Sequence, residues 1–201
     1  MSVNLQKGQK VDLTKGNSSL RRIIAGLGWD EAAPAGGGLL GGLMGGRTQA
    51  IDCDASAFLC NAAGKLAAKE DVVYFGNLKH VSGSILHMGD NLTGAGDGDD
   101  EQIVVDLSAV PPKFERIVFV VNIYEADKRR QDFGRVQNAF IRLVDADKGQ
   151  ELCRYNLTEN YSGCTALIFG EVYRRDGEWK FSAIGQGTKD IGISQLAQRY
   201  M

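Results

Sequence analysis

Short runs in which apolar residues alternate with polar ones, or stand almost unbroken, recur along the chain with turn-forming residues between them. A period of two places alternate side chains on opposite faces of an extended strand. On this basis strands are expected over residues 3–5, 10–13, 21–29, 51–60, 72–74, 85–87, 101–107, 116–124, 139–145, 152–157, 166–174 and 179–186. That density of short strands specifies an all-β fold, a sandwich or a barrel. The run Arg116-Ile117-Val118-Phe119-Val120-Val121-Asn122-Ile123-Tyr124 is nearly continuous in apolar residues and is expected to be a central strand buried on both faces. Asp176-Gly177 stands between two strand patterns, a strong signal for a tight hairpin turn.

Helix is scarce. One short helix is expected over 126–133, ended by Gly134, and another over 194–200. The segment Ala35-Gly36-Gly37-Gly38-Leu39-Leu40-Gly41-Gly42-Leu43-Met44-Gly45-Gly46 holds too many glycines for a strand interior and is expected to be a loop insertion at about 35–46. Its Leu39, Leu40, Leu43 and Met44 suit either an insertion without a partner or a sticky loop. As a sticky loop it would self-associate with another copy, dock on a partner or touch a membrane surface.

Composition narrows the function. The 201 residues are enough for one well-buried domain, and 43% hydrophobic with 24% charged residues is ordinary globular usage. A net charge of −2 provides no basic footprint for nucleic acid. No signal-type apolar core opens the chain and no run is long enough to form a transmembrane segment, so a cytoplasmic location is expected. Cys53, Cys60, Cys153 and Cys164 form no C-x-x-C pair and sit among apolar residues, which reads as buried thiols rather than zinc ligands or disulfides.

The candidate chemistry is acidic. Gly89-Asp90-Asn91-Leu92-Thr93-Gly94-Ala95-Gly96-Asp97-Gly98-Asp99-Asp100-Glu101 packs carboxylate and amide oxygens between glycines with no basic residue inside it. Hard cations such as Ca²⁺ take about six to eight such oxygens, and glycines let the chain curl around them. The spacing lacks the glycine of an EF-hand loop, so the segment is either a different calcium loop or a solvated acidic turn. Asp52 and Asp54, two apart at the head of a strand, point to one face about 7 Å from each other and call for a shared partner, a cation or a neighbouring Lys or Arg. Asp30 closes another apolar strand and is either a third contributor or a turn-initiating residue.

No P-loop and no G-x-S-x-G nucleophile elbow occurs, and no histidine or activated nucleophile is suggested near the paired carboxylates. The expectation is a protein without catalytic activity.

Taken in order, Ser2-Val3-Asn4-Leu5-Gln6-Lys7-Gly8-Gln9-Lys10-Val11-Asp12-Leu13, Gly26-Leu27-Gly28-Trp29-Asp30, Asp52-Cys53-Asp54-Ala55-Ser56-Ala57-Phe58, the acidic segment through Glu101, Arg129-Arg130-Gln131-Asp132-Phe133-Gly134 and Gly177-Glu178-Trp179-Lys180-Phe181 strongly resemble the TerD family of tellurium-resistance and general stress proteins. The resemblance covers nearly the whole chain. It implies a single domain over 1–201, a two-sheet β-sandwich with one or two short helices, and one or two Ca²⁺ ions in loops at one end. It further implies a cytoplasmic bacterial stress-response protein that works beside other stress-resistance proteins and has no established catalysis. The family's acidic pattern falls on Asp30, Asp52, Asp54, Asp90, Asn91, Asp97, Asp99, Asp100 and Glu101. Two departures stand out: Cys53 between the strand aspartates, and a glycine-rich insertion after Pro34 longer than usual.

Three functions compete on this reading. The first is a non-enzymatic calcium-binding protein whose ordered acidic loops form a recognition surface. The second is a metal-dependent module for a small ligand, a nucleotide or phosphate, and the third is a metal-dependent hydrolase using the same carboxylates.

Overall fold

The computed structural model describes residues 2–31, 50–90 and 98–201. Each expected strand is present: β1 (Val3–Leu5), β2 (Lys10–Asp12), β3 (Arg22–Glu31), β4 (Cys53–Cys60), β5 (Val72–Val73), β6 (Ile85–Asp90), β7 (Glu101–Asp106), β8 (Arg116–Ile123), β9 (Val136–Asp145), β10 (Gln150–Asn156), β11 (Ala166–Arg175) and β12 (Glu178–Thr188). They form two six-stranded sheets, sheet A in the order β1-β10-β9-β3-β7-β6 and sheet B in the order β2-β12-β11-β8-β4-β5. All pairs are antiparallel except β1 with β10.

The inner faces follow the alternation in the sequence. Ile23, Ala25 and Leu27 of β3, Ile103 and Val105 of β7, Ala55, Ala57 and Leu59 of β4, and Ile117, Phe119 and Val121 of β8 join one core between the sheets. β8 is buried on both faces as its unbroken apolar run requires, because its outward Val118 and Val120 pack in a second cluster under the C-terminal helix α2 (Ile193–Gln198). Phe58 meets Tyr200 edge to face in that cluster, ring centroids 5.4 Å apart. Burying apolar surface on both faces of sheet B removes it from water twice over, the dominant favourable term in folding.

At the β11–β12 hairpin, Asp176 and Gly177 both have positive φ, 55° and 78°, as the primed turn of two-residue hairpins demands. The expected helix over 126–133 is shorter. Glu125 and Arg130 take left-handed φ values of 50° and 52° and confine α1 to Ala126–Arg129, and a 3-10 turn follows at Phe133–Arg135. The glycine-rich loop at 35–46, and the self-association or membrane contact expected of it, lie outside the described residues. No helix among the described residues is long and apolar enough to cross a membrane.

Phe169 lies fully buried between the sheets. Its replacement by Ala is expected to cost about 3–5 kcal/mol, the usual range for a buried phenylalanine. Urea denaturation reads this as a lowered midpoint at unchanged slope, and a shift under 1 kcal/mol (~1 kcal/mol) would place Phe169 outside the tightly packed core.

The candidate cation site at one end of the sandwich

Three strand ends meet at one end of the sandwich. β3 arrives there with Asp30, β4 departs with Asp52 and Asp54, and β7 departs with Asp99, Asp100 and Glu101. β6 ends there too, Asp90 being paired with Glu101 across the ladder. Asn91 and Asp97 lie outside the described residues. The convergence is electrostatic as well as topological. The Cys53 thiol is pushed well above its usual range, first by burial and then by Asp54, Asp52, Glu101 and Asp100. The Asp100 carboxyl is raised by partial burial and by the charges of Asp30 and Asp99, against a lowering hydrogen bond from the Trp29 N–H at 2.7 Å.

Some of these carboxylates have partners the sequence did not show. Asp99, 5% exposed, receives Arg142 Nε at 2.7 Å on Oδ1 and Arg142 Nη2 at 3.1 Å on Oδ2, with Gln102 Nε2 at 3.0 Å. This forked ion pair sits on the outer face of β3 over Gly26, where any Cβ would collide with the Asp99 carboxylate. Two residues on, Gly28 leaves the same room for the ring of Phe140, on which the Arg154 guanidinium stacks at 3.6 Å. The Gly-x-Gly of β3 is therefore a seat for residues 98–100, which Asp100 N–H secures on Leu27 O at 2.8 Å.

Glu101 faces inward. Its Oε2 accepts from the Ala55 N–H at 2.5 Å, and His87 Nε2 lies 3.1 Å from Ala55 O and 3.4 Å from that same Oε2. The Gly89 N–H donates to His87 Nδ1 at 3.0 Å, which leaves the imidazole proton on Nε2 to be donated. Two side chains of sheet A thereby satisfy the backbone of β4 in sheet B, where β5 no longer covers its edge.

The remaining acids lie in different surroundings. Asp52 is half-exposed with Arg129 Nη1 at 3.4 Å, and Asp30 Oδ2 accepts from Asn138 Nδ2 at 2.7 Å. Asp54 stands across from Asn122 in the β4–β8 ladder, where the buried Asn122 Oδ1 and the nearby Ser56 Oγ have no hydrogen-bond partner. Among the described residues no three His, Cys, Asp or Glu side chains come close enough together to hold a metal ion. Sequence reasoning missed Arg142, His87 and Asn122, because each reaches the acidic end only through non-local pairing; the Gly-x-Gly spacing was the one local hint that something lies over β3.

The cysteines are where their apolar surroundings implied. All four are free; Cys53, Cys60 and Cys153 are buried and Cys164 is half-buried. Burial pushes Cys60 and Cys153 up to about 12, so both are held as unreactive thiols.

The TerD domain model matches residues 1–200, so the chain belongs to the TerD family, which comprises tellurium-resistance and general stress-response proteins. The chain is 50% identical to the stress response protein SCP2 of Bacillus subtilis (strain 168), over all of both chains. It is 46% identical to the tellurium resistance protein TerD of Serratia marcescens, over 100% of this chain and 97% of that one. Among solved structures, a protein of unknown function superposes with a TM-score of 0.65 at 25% identity, covering 89% of this chain and 95% of that chain. A homologue of telluride resistance protein (TerD) from Streptomyces coelicolor A3(2) gives the same TM-score at 20% identity, over 90% and 98%. These superpositions agree with the two-sheet fold.

If Arg142 holds the buried Asp99 in place, Arg142→Met leaves an uncompensated carboxylate over Gly26 and is expected to cost about 3 kcal/mol or more. Adding Asp99→Asn should recover part of that loss. Arg116→Met, which removes a half-exposed partner from Glu171, should cost no more than about 1 kcal/mol. Equal losses for the two arginine variants in chemical denaturation would show that the Arg142 pair has no special weight.

Proposed function

We propose that the protein is a calcium-binding stress-response protein in which Ca²⁺ orders the acidic end into a surface that other stress-resistance proteins recognise, without catalysis. The observation that carries this reading is the gathering of carboxylates from β3, β4 and β7 at one end, where burial first and then the charges of Asp30 and Asp99 raise the Asp100 carboxyl. The donor set is oxygen throughout, and the buried Asn122 Oδ1 beside Asp54 offers an amide oxygen with no other use, which fits a hard cation. Bound Ca²⁺ supplies positive charge that offsets the repulsion.

The residues divide by role. Asp99 and Glu101 act as anchors, one clamped by Arg142 and the other fastened to β4, and they fix the start of β7. Asp30, Asp52, Asp54 and Asp100 are the acids that would meet a cation, with Asp90, Asn91 and Asp97 completing one or two sites. The exposure of Asp52 and Asp30 supports a site near the surface, where an ordered loop would be readable by a partner. A cytoplasmic location accords with the three buried free thiols.

Calcium is expected to stabilise the folded protein by mass action, by about 2.7 kcal/mol at a hundred times the dissociation constant. A melting temperature identical in calcium and in chelator would refute the reading. Asp54→Ala should weaken calcium binding at least tenfold, or about 1.4 kcal/mol, by calorimetry, while Asp176→Ala in the distant hairpin leaves it unchanged. Asp100→Asn discriminates further. It should leave the calcium-free protein as stable or more so, since it removes a repelled charge and keeps an acceptor for Trp29, yet it should shrink the gain from calcium.

A further inference from the structure

At the opposite end of β6 from Asp90, Lys79 pairs with Leu86 and the Gly83 N–H donates to His80 O at 2.8 Å, closing a turn whose tip is Val81 and Ser82. Val81 is 88% exposed and Ser82 is exposed, whereas Asp71, His80 and Ser84 are all buried, at 3%, 2% and 2%. Three buried polar side chains are thus connected to one exposed serine.

The hydrogen bonds assign the protons. The Ser82 N–H donates to His80 Nδ1 at 3.1 Å, so that nitrogen carries a lone pair and the imidazole proton sits on Nε2. Nε2 lies 3.4 Å from Asp71 Oδ1, while Asp71 Oδ2 accepts from the N–H groups of Ala67 and Ala68 at 3.2 and 2.9 Å. The Phe114 ring meets the imidazole edge to face at 5.3 Å and holds its plane. Ser82 Oγ is then 2.6 Å from the basic Nδ1, and Ser84 Oγ lies 2.7 Å behind it. An imidazole oriented by a carboxylate, with its unprotonated nitrogen against a serine hydroxyl, is the arrangement that activates a nucleophile.

We propose that Ser82 is an acylation site: its hydroxyl takes the acyl group of small activated donors such as aryl esters, with His80 as general base and Asp71 as the residue that positions His80. Ser82 Oγ attacks the carbonyl carbon while its proton passes to His80 Nδ1. The bond from carbon to the aryloxy oxygen breaks, the proton leaves with the aryl alcohol, and Ser82 carries an ester. The step is a stoichiometric modification, needs no oxidant or metal, and lies apart from the acidic end.

The test uses the full chain and p-nitrophenyl acetate, with acetylation followed at the Ser82 peptide by mass spectrometry. Ser108 is the internal control, an exposed serine whose hydroxyl donates to Asp106 at 2.6 Å and has no imidazole beside it. General-base assistance is worth at least about a hundredfold, so Ser82 is expected to acetylate about a hundredfold faster than Ser108. Ser82→Ala should abolish the corresponding release of nitrophenolate, and Asp71→Asn should slow labelling of Ser82 at unchanged labelling of Ser108. Equal rates at the two serines in the unaltered protein would overturn the proposal, because the network would then only shape the turn. So would a fast Ser82 whose rate is unchanged in a folded His80→Gln variant.

Discussion

The contact on which the acidic end depends is the fastening of β4 to sheet A by Glu101 and His87. β5 pairs with β4 only at Ala57 and Phe58, so the Ala55 N–H and C=O on the same edge have no strand beside them. A buried peptide group left without a partner costs free energy comparable to a lost hydrogen bond. Glu101 Oε2 and His87 Nε2 supply both partners from the facing sheet, at 2.5 and 3.1 Å. A carboxylate that faces the core would be prohibitively costly alone; here it receives a peptide N–H and lies against an imidazole N–H, and its charge is tolerated. The fastening brings the starts of β7 and β4 together and thereby decides which acids become neighbours.

The strands were legible because alternation and unbroken apolar runs are local signals, and the core residues that carry them are those buried between the sheets. β4 shows the limit of that reading. Its period of two correctly separated Asp54 from Cys53 and Ala55, but both faces of β4 are buried, and only the sheet order reveals that Asp54 looks toward Asn122. The acidic residues were equally legible as a set, since their composition is unusual, but their partners were not. Arg142 is 43 residues from Asp99 and the two meet only because β9 lies next to β3 in sheet A. The short α1 had no local signal either. Left-handed backbone at Glu125 and Arg130 is uncommon for such residues and is imposed by the surrounding packing, not by propensity.

Gly26 and Gly28 show how the two levels join. Both lie on the outward face of β3, and both are buried, because Asp99 and Phe140 occupy the space that side chains would fill. Glycine inside a strand ordinarily weakens it, and its presence here is explained by the close approach it permits. The strand gives up side-chain packing on one face so that a charged loop can be seated by Arg142 and capped by the Arg154–Phe140 stack. The aspartate most firmly held by protein groups is thereby withdrawn from the ones left to meet solvent or a cation.

That division has a consequence for affinity. A cation that gathers oxygens from three segments must overcome the entropy of ordering each one, so much of its binding free energy is lost when the segments move independently. Here Asp54 is held by ladder pairing with Asn122, Asp100 by the Trp29 and Leu27 backbone, and Asp30 by Asn138. Their positions are set by contacts that involve no ion. What remains unfavourable is first the burial of the Asp100 carboxyl and then the charges of Asp30 and Asp99 beside it, and a bound cation would relieve the second of these directly. A cation would still have to draw these acids closer together, so its binding free energy would depend on how cheaply the strand ends can move.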